Sequence, residues 1–206
     1  AKIVFSGGVL MKVEKIVSVF SNLPTLETER LLMRRMVPDD CRDMYEYSKR
    51  EDVTEYLLWS THNSVSYTLE YLRYLETRYN SGSFYDWGLV LKRRGKLVGT
   101  CGFTRFDAHN DSAEIGYVIN PAFSGIGIAT EAAGEVVRFG FEVMGLNRIE
   151  ARFMLGNNAS LAVMKKIGMS FEGYQRDAML VKGKYRTIGT CAILRREYYC
   201  KKADLF

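Results

Sequence analysis

The chain has 206 residues, the length of one ordinary domain, and its 47% hydrophobic and 26% charged content excludes a mainly disordered protein and a multidomain enzyme. Lys plus Arg number 29 and Asp plus Glu 24, a balance of +5 that suits an anionic ligand without requiring nucleic acid. Cys41, Cys101, Cys191 and Cys200 are scattered without a C-x-x-C pair, and His62 and His109 stand apart from them. No metal site or disulfide framework is expected, and isolated thiols fit a reducing cytoplasm.

No apolar run nears the ~20 residues needed to span a bilayer. Lys2 followed by Ile3 to Met11 has a faint secretion-signal look, but Lys12, Glu14 and Lys15 interrupt it and no A-x-A site follows. Residues 1–23 carry little pattern and read as an N-terminal extension, with Met11 a candidate natural start, ahead of one domain over 24–206. Glu29 to Met36 is strand-like and stops before Pro38. Asp39 and Asp40 can cap a helix that turns Met44 and Tyr47 inward. Leu69, Leu72 and Leu75 predict a second helix over 66–79.

The pattern then turns to β. Tyr85 to Lys92, a turn at Arg94-Gly95, and Lys96 to Phe106 predict an antiparallel hairpin, and Ser112 to Asn120 a further strand ended by Pro121. Ile128, Ala132, Val136, Phe139 and Val143 repeat at helical spacing from Gly127 to Met144. A strand over 148–155, a helix over 158–167 and strands over 170–180 and 185–194 follow. The order β-α-α-β-β-β-α-β-α-β-β defines a mixed α/β or α+β domain.

Chemistry concentrates between Ser112 and Glu131, where a strand, a proline stop, a glycine-containing turn and a helix follow one another. Such a junction presents unbonded backbone N–H groups and the positive end of a helix dipole to a phosphate. The dinucleotide fingerprint G-x-G-x-x-G fails, because its third glycine would be Thr130, and no G-x-x-x-x-G-K-[ST] loop is present. A plain tight turn accounts for the two glycines equally well.

Three ordered stretches decide between these readings. Ala122-Phe-Ser-Gly125-Ile-Gly127 resembles the [QR]-x-x-G-x-[GA] acetyl-coenzyme A motif of the GNAT superfamily of N-acetyltransferases. Asn157-Asn-Ala-Ser160 with Val163 to Gly173, and Thr28 to Arg34, resemble the branch containing the ribosomal-protein N-terminal acetyltransferases. The resemblance covers roughly residues 24–196. It implies the three-layer acyl-CoA N-acyltransferase fold, a mixed central sheet with helices on both faces. Ala122 replaces the usual Gln or Arg, Ile126 a position often basic, and Met164 the tyrosine acid of many members. Lys165 and Lys166 could supply charge to the phosphates or form a solvated helix face.

The resemblance implies transfer of an acetyl group from acetyl-CoA, with no metal, to a primary amine. Tyr117, Val118 and Ile119 would pair with the pantetheine arm, and Gly125, Ile126, Gly127, Ile128, Ala129 and Thr130 would hold the pyrophosphate, with Asn157 contacting the coenzyme or capping its helix. Glu114 is the first choice for a general base, and Ser160 for the acid that protonates the thiolate. Each has a plain structural reading too, an exposed strand carboxylate and a helix serine bonded to backbone. Trp59, Tyr85 and Trp87 would wall the acceptor pocket, with His62 a loop residue beside it. Asp86 and the Glu51-Asp52 and Glu55 region read individually as surface carboxylates, with the capacity to receive a cationic acceptor.

The leading acceptor is a protein N-terminal α-amine. At a pKa of roughly 7.8 about one α-amine in seven is neutral at pH 7, against less than about one lysine in a thousand at roughly 10.4. Small amines such as aminosugars, polyamines or amino acids are the alternative, and a non-catalytic acyl-CoA-binding module is the rival from another class. Neither a nucleic-acid nor a membrane partner is expected, and the domain is expected to act as a monomer or homodimer.

Overall fold

Short apolar runs separated by turns supply eight strands, which the computed structural model, describing residues 7–203, joins in one sheet. They are β1 (Leu26–Glu27), β2 (Leu31–Arg34), β3 (Tyr85–Leu91), β4 (Lys96–Asp107), β5 (Ser112–Ile119), β6 (Arg148–Met154), β7 (Ser170–Val181) and β8 (Lys184–Leu194). Their order is β1-β2-β3-β4-β5-β6-β8-β7. All neighbours are antiparallel except β5 and β6, which run parallel because a helical crossover joins them.

The helices are α1 (Gly7–Ser21), α2 (Cys41–Ser48), α3 (Glu51–Thr54), α4 (Val65–Asn80), α5 (Ile128–Phe139), α6 (Asn158–Lys166) and α7 (Arg195–Ala203). Met44 and Tyr47 of α2 are buried, and α4 turns Thr68, Leu72, Leu75 and Tyr79 inward at spacings of three and four. Ser64 starts α4 by accepting the Tyr67 amide on its hydroxyl at 3.0 Å. The helices cover both faces of the mixed sheet. Strand alternation sends Trp87 against Phe20 of α1 and Phe139 of α5, at ring separations of 5.8 and 5.4 Å, while Asp86 faces a cavity shared with Tyr47 of α2 and Tyr71 of α4.

Two expectations need correction here. The leader, expected to carry little pattern, is helical and packed on the domain over its described part. It forms α1, whose Phe20 is fully buried among Tyr85, Trp87, Phe103, Phe106 and Phe139. Leu10, Met11 and Val17 stay exposed on the same helix, so its apolar residues lie all round the axis and hide the inward face. The long helix predicted over 127–144 ends its α-helical part at Phe139, and a π turn occupies Gly140–Met144. That wider turn shifts the register and leaves Val143, expected inward, 44% exposed.

Candidate active site

The parallel pair that creates the site is short. Ser112 to Ile115 of β5 pair with Arg148 to Ala151 of β6. Beyond Ile115 the two strands part. Gly116 to Ile119 continue against β4 alone and Arg152 to Met154 against β8 alone, so the edges of β5 and β6 that face each other are left unpaired. A cavity of about 670 Å³ runs from this split past α2, the loop 56–62 and α4. Its size is that of a small-molecule site.

At the mouth of the split the chain turns into α5. Gly125 and Gly127 both adopt positive φ, +77° and +85°, a conformation that costs an L side chain about 1–2 kcal/mol. The first bonded amide of the helix is that of Glu131, which reaches the Gly127 carbonyl at 3.0 Å. The amides of Ile128, Ala129 and Thr130 thus lack helical acceptors and point out of the N-terminus. Ile128 buries its side chain, so only its amide is available to a ligand, whereas Ile126 is 56% exposed.

Strand β2 and the residues before it clamp this turn. Glu131 accepts from the Thr28 hydroxyl at 2.5 Å, the Arg30 amide at 2.8 Å and Arg30 Nε at 2.6 Å, and Arg30 Nη1 donates to the Ile126 carbonyl at 2.7 Å. Burial alone would raise the Glu131 carboxyl, but the bonds from Thr28 and Arg30 outweigh it and hold the group below its ordinary value. The stretch Thr28 to Arg34 therefore has a local role, to fix the shape of the turn before α5 through Thr28 and Arg30.

Across the split, Asn157 caps α6 by accepting the Ser160 amide at 3.1 Å. Tyr117 donates to the Ser160 carbonyl at 2.9 Å, tying β5 to α6 over the gap. The Ser160 hydroxyl bonds to no backbone group among the described residues; its side chain engages that of Tyr117, and it lies on the cavity wall with Tyr117, Val118, Asn157 and Met164. Its reading as a serine bonded to backbone does not hold. Glu114 is buried, not an exposed strand carboxylate, and its Oε2 stands 2.8 Å from Arg152 Nη2 on the same wall.

The end of the cavity away from the split is aromatic, and of the three residues expected to wall an acceptor pocket two lie elsewhere. Trp59 lines the cavity, 5.5 Å from the His62 ring. Tyr85 and Trp87 do not line it. They point to the opposite face of the sheet, where Tyr85 packs on Phe20 and Phe106 and Trp87, fully buried, donates its indole N–H to the Pro24 carbonyl at 2.7 Å. The residue between them, Asp86, is the one that faces the cavity. His62, in the loop before α4, is a buried wall residue of the cavity. Thr68 donates its hydroxyl to the Ser64 carbonyl and so accepts from His62 Nδ1 at 2.8 Å, and burial pushes the imidazole below its ordinary value.

Sequence reasoning named Asp86 as a surface carboxylate able to receive a cationic acceptor, but did not place it with Tyr47 and Ser48 on a polar cavity floor. Tyr47 Oη, Ser48 Oγ and Asp86 Oδ1 are buried, without a hydrogen-bond partner, and all three belong to cavity-lining residues. The only available signal was an aspartate in the middle of an otherwise apolar strand. Among the described residues no His/Cys/Asp/Glu cluster could hold a metal ion, and no helix is long and apolar enough to cross a membrane.

A split parallel pair, an open helix N-terminus beside it and a cavity leading away from it define an acyl-CoA-dependent transferase, and the comparisons agree. Residues 30–170 match the family model described as Acetyltransferase (GNAT) domain. The uncharacterized N-acetyltransferase p20 of Bacillus licheniformis is 31% identical over 176 residues, 85% of this chain and 99% of p20. The crystal structure of a GNAT-family acetyltransferase from Bacillus anthracis superposes with a TM-score of 0.75 at 29% identity, over 84% of this chain and 99% of the other. Two relatives from Escherichia coli (strain K12) align over 109 residues each: [ribosomal protein uS5]-alanine N-acetyltransferase at 27% identity, covering 52% of this chain and 56% of its own length, and spermidine N(1)-acetyltransferase at 26%, covering 53% and 59%. The chain belongs to the GNAT family of acetyl-CoA-dependent N-acetyltransferases.

Proposed function

We propose that this N-acetyltransferase acts on the α-amine of a protein N-terminus. The observation that carries the reading is the charge of the cavity. Its charged lining residues are Asp86, Glu114 and Arg152, and Arg152 is already paired with Glu114, which leaves a net attraction for a cationic amine. The amine basicity weighed above favours an α-amine over lysine. The uS5-alanine acetyltransferase relative supports the same acceptor class, while the spermidine enzyme keeps a polyamine as the alternative.

In this reading the unpaired edge at Tyr117, Val118 and Ile119 receives the pantetheine amides, and the amides from Gly125 to Thr130 receive the pyrophosphate. Asn157 shapes that wall through its cap. Amine and thioester meet in the split, where their shared confinement is itself a large catalytic term. A backbone N–H of β5 stabilises the tetrahedral oxyanion, and the Ser160 hydroxyl, beside Tyr117, protonates the departing thiolate. Glu114, held on Arg152, serves as a wall carboxylate. Coenzyme release measured over peptides with free N-termini, N-blocked lysine peptides, polyamines and aminosugars tests the assignment. Turnover of the small amines without turnover of the free N-termini would overturn the acceptor and leave the family standing.

A further inference from the structure

Asp86, Gly102 and Gly116 form one register row across β3, β4 and β5, so all three present the same face. A side chain at Gly102 would put its Cβ 2.5 Å from Asp86 Oδ1, which shows that the carboxyl lies over this glycine, on the side toward β5. Gly116, next in the row, is where β5 leaves β6. A Cβ there would meet Thr104 Cγ2 alone, at 2.9 Å. The row itself thus contributes no side chain between the Asp86 carboxyl and the split over one strand spacing, ~4.8 Å, and only the Thr104 methyl reaches over Gly116.

The carboxyl has no compensation from the protein. Oδ1 accepts no hydrogen bond, and among the described residues no lysine or arginine pairs with it. The titratable groups that face it are Tyr47 from α2, Tyr71 and Tyr79 from α4, and Cys101 from β4, all neutral at physiological pH. Tyr79 spends its hydroxyl on the Asp86 main-chain carbonyl at 2.7 Å. Tyr47 Oη and Ser48 Oγ stand on the same cavity without partners. An uncompensated buried acid costs stability and marks a place where a ligand supplies the missing charge.

We propose that Asp86 is the catalytic proton acceptor of the transfer: it receives the acceptor's ammonium group and takes its first proton. The proposal rests on the acetyl-transfer reading. One N–H bond of the ammonium breaks as an O–H bond forms on Asp86, and the freed lone pair attacks the thioester carbonyl carbon. Collapse of the tetrahedral adduct breaks the C–S bond, and the second nitrogen proton passes to the thiolate through Ser160. Asp86 then returns its proton to solvent, so amide, thiol and one released proton balance the step. Burial pushes the Asp86 carboxyl up to about 7, where a base matched to an α-amine is most effective.

The test compares wild type with Asp86→Asn on two peptide acceptors that differ only in a trifluoroalanine N-terminus, whose amine is largely neutral at pH 7. With the ordinary N-terminus, kcat falls about a hundredfold or more and its acid limb near pH 7 disappears. With the fluorinated N-terminus the loss shrinks at least tenfold, and acetyl-CoA affinity stays unchanged. Carboxyl carbon-13 NMR of the wild type shows a group titrating near 7 that Asp86→Asn lacks. Equal losses on both peptides, a retained acid limb or the absence of that titration overturns the proposal. A wild type that transfers acetyl to no amine, though the NMR titration is present, refutes the functional reading instead.

Discussion

Arg30 and Glu131, a hundred residues apart in sequence, are joined at 2.6 Å between Nε and Oε2 and at 2.8 Å between the Arg30 amide and Oε1. With the 2.7 Å bond from Arg30 to the Ile126 carbonyl, they fix the turn before α5 to the far end of the sheet. Arg30→Ala removes charge-assisted bonds and is expected to cost about 2 kcal/mol. It raises the acetyl-CoA KM severalfold with a smaller change in kcat, read from steady-state kinetics. Because the Glu131 carboxyl is depressed in the folded state, its contribution is present above the unfolded value and is lost as pH falls through the folded one. Acid titration of thermal stability therefore shows less loss in Glu131→Gln than in wild type.

Gly127→Val places a branched side chain at φ +85°, with its Cβ 3.3 Å from Arg30 Nη2 and its branches beside the open amides. Coenzyme binding measured by calorimetry is expected to vanish at millimolar ligand, with the fold retained by circular dichroism. Normal binding would move the pyrophosphate site elsewhere.

Ser160 and Asn157 separate chemistry from capping. Ser160→Ala deletes the hydroxyl and leaves the capped amide, so kcat and kcat/KM fall together by roughly ten to a thousand fold while Tm changes little. Asn157→Ala removes the cap and costs about 1 kcal/mol of stability. A lowered Tm in Ser160→Ala with full turnover would return that residue to a structural role.

Two cavity carboxylates make opposite predictions. Glu114→Gln leaves Arg152 without its partner and lowers turnover less than Asp86→Asn does. The raised Asp86 carboxyl works against the fold: above the unfolded value near 4 the unfolded chain holds fewer protons, so stability drops as pH rises toward 7. Over that window the cost amounts to about 4 kcal/mol at most. Asp86→Asn removes the drop, so its Tm exceeds that of wild type by more at pH 8 than at pH 5.

Phe20→Ala opens a cavity among five aromatic rings and is expected to cost about 3–5 kcal/mol, measured by denaturant unfolding, with KM values little changed.

The central elements were legible because their patterns are local: apolar alternation gave β3 to β6, spacings of three and four gave α2 and α4, and the glycines marked the turn before α5. Strand parity was not. Tyr85, Asp86 and Trp87 lie in one strand, and choosing the aromatic pair for the pocket placed it on the wrong face, since a single step along a strand reverses direction. Helix α1 was missed because its one fully buried residue, Phe20, is outnumbered by exposed apolar neighbours. The clamp of Thr28 and Arg30 on Glu131 depends on contacts over 101 to 103 positions, which no local period encodes.

The four-pair seam between β5 and β6 gives the molecule a mechanical character of its own. Five strands lie on one side of it and three on the other, and past Ile115 no sheet bond crosses. In the proposed reading a pantetheine arm lying between the two half-sheets would take the place of the missing strand and couple them. Amides of Gly116 to Ile119 facing the gap are then expected to exchange with solvent more slowly once acetyl-CoA is bound, which hydrogen exchange with and without the coenzyme checks.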